Sequence, residues 1–147
     1  LYFEDEIIKK MVENTWRELP NKYKGVHIDE YMIMPNHIHG IISIASSDDN
    51  DHTICVGANL CVRPHNNGPT HRSAPTLGEI VRWFKTMTTN YYIQGVKNNN
   101  WKSFEKKLWQ RNYYDHVVRD DVELNKIREY IQNNPANWDN DLCHSVI

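Results

Sequence analysis

The sequence is short of several things that usually announce a class of protein. It has three cysteines, Cys55, Cys61 and Cys143, an odd and scattered set. Such a set fits a reducing cytoplasm better than a disulfide framework. No stretch is long and apolar enough to span a bilayer, and no signal peptide is recognisable, so no membrane partner is expected. Neither charge sign dominates: 17 Lys and Arg stand against 19 Asp and Glu, a net charge of −2. Composition alone therefore does not announce nucleic acid. There is no internal repeat and no low-complexity segment. A starting methionine is also missing, since the first residue is Leu1, and the sequence reads as truncated upstream.

What is present fits one domain, residues 1–147, long enough to bury a real core. Basic residues gather late in the chain, at Lys97, Lys102, Lys106, Lys107, Arg111, Arg119, Lys126 and Arg128. They read as a phosphate-binding surface or, more commonly for such runs, a solvated face.

The spacing predicts a helix from about Glu4 to Leu19, with Ile7, Ile8, Met11, Val12, Trp16 and Leu19 on one apolar face and Pro20-Asn21 and Gly25 ending it. Val26–Met34 and His37–Ala45 read as two strands joined by the turn signal Pro35-Asn36, hence an antiparallel pair. The stretch 46–75 is rich in Asp, Asn, Gly, Pro and Ser and reads as a long surface loop. A zinc site can be drawn there from Cys55, Cys61, His65 and His71, but no close Cys-x-x-Cys pair supports it.

Thr76-Leu77-Gly78-Glu79 has capping-box spacing and opens a second helix. Its expected buried stripe is Leu77, Ile80, Val81, Phe84, Met87 and Tyr91, with Gly95 as the stop. Lys85, Thr88, Thr89 and Asn90 fall off that stripe and are candidates for phosphate contact. Trp109–Val118 reads as a strand. Asp120 then caps a third helix, with Glu123 in the capping-box position and Leu124, Ile127 and Ile131 facing inward. Asn134 before Pro135 ends it, and Trp138 anchors the tail.

Two features carry chemistry. His37 and His39 are two apart on a strand, so they share a face and can hold one divalent metal. Tyr130 and Asn134 are four apart on the third helix, one turn from each other. A tyrosine there could simply pack its ring. Near a metal-polarised phosphate its phenol, with a pKa of about 10, could instead attack and form a phosphotyrosine. The amide of Asn134 would be a third ligand.

Met34-Pro35-Asn36-His37-Ile38-His39-Gly40-Ile41-Ile42 resembles the His-hydrophobic-His signature of the single-tyrosine HUH transposases. Trp109-Gln110-Arg111-Asn112-Tyr113-Tyr114-Asp115-His116 and Tyr130-Ile131-Gln132-Asn133-Asn134-Pro135 resemble the matching C-terminal motifs. Together they resemble the REP-associated tyrosine transposases. The resemblance implies an α+β, ferredoxin-like sandwich, an antiparallel sheet with helices on one face, plus a C-terminal helix bearing the tyrosine. Helix, strand, strand, helix, strand, helix becomes that βαββαβ fold once a strand is placed in front. This strand, aromatic-rich in the family, is missing here, and an exposed sheet edge is expected.

The implied activity is cleavage and rejoining of single-stranded DNA beside a hairpin, through a 5′-phosphotyrosine. Tyr130 maps onto the nucleophile, and His37, His39 and Asn134 onto the ligands of Mg2+ or Mn2+. Lys85, Arg111, Arg119 and Arg128 are candidate DNA contacts. The implied partner is hairpin-forming single-stranded DNA, the setting the cytoplasm and its nucleoid, and the state a monomer or a homodimer. The alternatives are a hairpin-binding protein that no longer cuts, and another metal-dependent phosphodiesterase. A histidine-triad hydrolase would need histidine where Ile41 stands.

Overall fold

A computed structural model describes residues 3–45, 52–56 and 75–136. Helix α1 (Glu6–Arg17) is opened by Asp5, whose carboxylate accepts from the Ile7 N–H. Ile8, Val12, Trp16 and the following Leu19 are buried, whereas Ile7, expected inside, is 64% exposed. Pro20 does not stop the chain where expected. It sits in the first turn of a short helix α2 (Leu19–Lys22), where the missing N–H costs nothing. Gly25, at φ +84°, then turns the backbone into the sheet.

Strands β1 (Val26–Ile33) and β2 (Ile38–Ala45) form the expected antiparallel hairpin. The Met34 N–H donates to the His37 carbonyl at 2.9 Å and closes the Pro35-Asn36 turn. The loop expectation for 46–75 needs correction. His52–Val56 is a strand, β3, paired antiparallel with β2. It pairs on its other side with β4 (His116–Val117), so the order is β1-β2-β3-β4. Thus β3 holds an interior position of the sheet, between β2 and β4. Cys61, His65 and His71 of the drawn zinc site, and Trp138, lie outside the described residues.

Helix α3 (Leu77–Asn98) begins with the expected capping box between Thr76 and Glu79. Its buried stripe is Leu77, Ile80, Phe84, Thr88, Tyr92 and Gly95, rotated from the expected one at Thr88 and Tyr92. Thr88 can be buried because its hydroxyl donates to the Phe84 carbonyl and accepts from Trp109 Nε1, at 2.8 and 2.7 Å. Gly95 does not end the helix. The Trp101 ring lies over it, and a Cβ there would meet ring carbons at 2.1 Å. The expected strand 109–118 shrinks to β4, because Trp109 is drawn into the core between Phe3 and Phe84.

The sheet divides the molecule. On one face Val26, Ile28, Ile33, Ile38, Ile42 and Ile44 pack under α1 and α3 in the main core. On the other, Ile41 and Met32 meet Val118, Leu124, Ile127 and Ile131 of the β4–α4 region. Among the described residues, helix α4 (Asp121–Asn133) is thus the one helix on its side of the sheet. The arrangement is α+β. Among the described residues no helix is long and apolar enough to cross a membrane.

Candidate active site

Strand alternation sorts β2. Gly40 faces α1, its Cα covered by the Trp16 indole, while Ile41 faces α4. His39 shares the face of Ile41 and so looks toward α4. His37 stands just ahead of β2, beside it. Their rings are 4.5 Å apart and nearly perpendicular, with the two Nε2 atoms at 2.8 Å.

Asn36 sets the proton positions. Its Oδ1 lies 2.6 Å from His37 Nδ1, and an amide oxygen only accepts. His37 Nδ1 therefore carries a hydrogen, and one of the two Nε2 atoms donates to the other. Two nitrogens bound side by side to one cation at ordinary bond lengths stand about 3 Å apart, close to the spacing observed here.

Among the described residues no group of three His, Cys, Asp or Glu could hold a metal. Beside the two histidines, an amide, water or substrate oxygen could complete the donor set. The side chain of Asn134 is 2% exposed, and its Nδ2 has no hydrogen-bond partner among the described residues. Leaving such a group unmade costs about 1–3 kcal/mol. Asn134 extends the inward Ile127/Ile131 stripe by one more turn. Two imidazoles and an amide are a donor set that suits a divalent cation.

Tyr130 projects from α4 toward the same place. Its ring centroid lies 5.5 Å from that of His39, edge to face, and the residue is 53% exposed. The structure therefore brings His37, His39 and the Tyr130 phenol together.

The four candidate DNA cations separate. Arg111 and Arg119 are exposed. The Lys85 ammonium turns inward: it donates to the Gln110 and Asn112 carbonyls at 2.8 and 3.4 Å and lies over the Tyr113 ring. Burial holds its pKa below the usual lysine range. Arg128 forks onto Asp29, Nε to Oδ1 at 3.1 Å and Nη2 to Oδ2 at 2.5 Å. Thr88 and Thr89, also candidates, spend their hydroxyls on helix carbonyls.

At the start of α4, Asp120 caps the Glu123 N–H as expected. Glu123 reaches instead to the Arg119 N–H and to His116. The His116 hydrogen bond, above all, holds its carboxyl below the usual range. Sequence reading missed two contributors, Asn36 and Asp29. Asn36 was legible as the residue abutting His37; Asp29 was not, since its partner lies 99 residues away.

Residues 72–134, which contain Tyr130 and Asn134 but not the histidine pair, match the family described as transposase IS200 like. That stretch, 63 of the chain's 147 residues, is similar to this family of transposases. A Haemophilus influenzae protein described as uncharacterized is 36% identical over 130 residues, covering 88% of this chain and 66% of its own length. A second H. influenzae protein carries the name "Putative REP-associated tyrosine transposase" and is 26% identical over 107 residues, covering 71% of this chain and 46% of its own length. The chain thus spans from under half to about two thirds of these relatives. No solved structure matches it.

Proposed function

We propose that this chain cuts and rejoins single-stranded DNA beside a hairpin, with Tyr130 as the nucleophile. The observation that carries this reading is the Tyr130 ring edge-on to His39, whose Nε2 is already paired with that of His37. Both partners belong to one chain, so the geometry supports attack within a monomer. His37, His39 and the Asn134 amide would hold a divalent cation. The amide oxygen suits Mg2+ or Mn2+, and the two imidazoles favour the softer Mn2+. When bound, such a cation neutralises charge on the scissile phosphate.

Tyr130 Oη attacks phosphorus after losing its proton to solvent. One P–O bond forms to the tyrosine and one breaks to the 3′ oxygen, which takes up a proton and leaves as a free 3′-OH. The 5′ side stays on Tyr130. A later 3′-OH attack reverses the exchange and returns the phenol. Each step swaps one phosphodiester for another, so no external energy source is needed. Such work on DNA places the protein in the cytoplasm, at the nucleoid.

Incubation with a labelled hairpin oligonucleotide and Mn2+ tests the proposal. An SDS-stable adduct is expected, absent in Tyr130→Phe. His37→Ala should lose cleavage and keep much of the binding; normal cutting by it refutes the ligand assignment. Product without adduct would indicate hydrolysis, and binding without cleavage a hairpin-binding protein.

A further inference from the structure

We infer that the Asp29–Arg128 pair is a positioning clasp, which sets the roll of α4 and so aims Tyr130 at the histidine pair. This rests on the nucleophilic role given to Tyr130 above.

The attachment of α4 leaves room for such a device. It is the only helix among the described residues on its face of the sheet, and its apolar contacts form a small cluster separate from the main core. Hydrophobic contact is not directional. A stripe of Leu124, Ile127 and Ile131 therefore fixes which side of the helix faces the sheet only loosely. A bidentate guanidinium–carboxylate fork is directional. Arg128 is two residues before Tyr130, so turning the helix to keep the fork determines where the phenol ring goes.

The sheet is built to present Asp29. Pairing of β1 with β2 shifts register between Ile28 and Tyr31, so Asp29 and Glu30 together oppose Ile41. Ile28, Tyr31 and Ile33 face the main core, whereas Met32 joins the α4 cluster. Alternation from Ile28, which faces the main core, turns Asp29 to the α4 side. The extra residue of the bulge then returns Tyr31 to the main-core face, so one strand serves both sides. Both partners are also held at their bases. Asp29 Oδ1 accepts the Glu30 N–H at 2.7 Å, and Arg128 Nη1 donates to Asn125 Oδ1 at 3.1 Å, one turn back along α4.

The test combines Asp29→Asn, Asp29→Glu, Arg128→Lys and the charge-swapped double variant Asp29→Arg/Arg128→Asp. Two readouts need no DNA: the nuclear Overhauser effect between the Tyr130 and His39 rings, and amide hydrogen exchange along α4. A third is the single-turnover rate of adduct formation at saturating hairpin DNA with Mn2+, alongside hairpin affinity. In Asp29→Asn and Arg128→Lys the ring-to-ring signal weakens and α4 exchanges faster, with α1 and α3 unchanged. The adduct rate falls about 10–100-fold, as for a nucleophile misplaced by about 1 Å, while affinity holds. Asp29→Glu and the swapped pair recover part of the rate. If Asp29→Asn keeps the wild-type ring contact and α4 protection, the clasp is refuted, whatever the adduct rate does. If the wild type forms no adduct, the nucleophile assignment fails instead, and the clasp is judged on the two DNA-free readouts alone.

Discussion

The indole of Trp16 closes so tightly on Gly40 that a Cβ at position 40 would lie 2.4 Å from its Cζ2 atom. The glycine after the histidine pair is therefore a packing requirement of the opposite face. Gly40→Ala should cost about 1–3 kcal/mol of stability, the usual range for overpacking, measured by urea unfolding. Because Gly40 adjoins His39, the change should also disturb the histidine pair. Adding Trp16→Leu should return part of the loss, and strict additivity of the two variants would disprove the contact.

Asn36 should act as an orienting partner. With its Oδ1 removed, His37 Nδ1–H loses the contact at 2.6 Å that fixes its tautomer. Asn36→Ala is expected to weaken Mn2+ binding about 10–100-fold, as changes behind a ligating histidine commonly do. Calorimetric titration checks it; unchanged affinity would remove Asn36 from the site.

Lys85 and Arg111 should behave as different kinds of cation. Lys85→Met removes the bolt between α3 and residues 110–112, so stability falls while the salt dependence of DNA binding stays put. Arg111→Ala removes an exposed charge, so stability holds. If Arg111 meets a phosphate, the slope of log affinity against log salt should drop by about 0.7, the single-strand value per contact. Binding isotherms over a salt series, with thermal melts, separate the two.

Acid should loosen α4 ahead of the rest. The Arg128 fork holds the Asp29 carboxyl below the usual range, and the His116 contact does the same for Glu123. Carboxyls depressed on folding stabilise the protein above their unfolded values of about 4. That contribution is lost as pH falls through the lower folded values. Asp115, which burial pushes up, works in the opposite direction. Around Arg128, Glu30 and Asp121 supply further negative charge. Amide exchange followed below pH 4 should show α4 losing protection first; simultaneous loss across α1, α3 and α4 would count against it.

Much of this architecture is legible in the chain because local chemistry and global fold agree. The Thr76–Glu79 box, the Pro35-Asn36 hairpin and the Leu124/Ile127/Ile131 stripe each follow from spacing alone. What escaped depends on partners distant in sequence. Thr88 replaces Met87 in the core because Trp109 gives its hydroxyl a second bond. Gly95 stays helical because Trp101 covers it. The His52–Val56 segment becomes a strand because β2 and β4 offer edges on both sides. The candidate site divides likewise: His37, His39 and Tyr130 were visible as residue types at telling intervals, whereas the inward turn of Lys85 and Arg128 was not.

The seating of β3 between β2 and β4 has a consequence for how the molecule tolerates change. The short strand leading into the tyrosine helix joins the hairpin of the histidines by way of five residues, His52–Val56, inside the Asp-, Asn-, Gly-, Pro- and Ser-rich stretch 46–75. Shortening that stretch through residues 52–56 would therefore remove a strand of the sheet. It would unhitch the approach to Tyr130 from the sheet, so natural or engineered length changes there are best accommodated on either side of the strand.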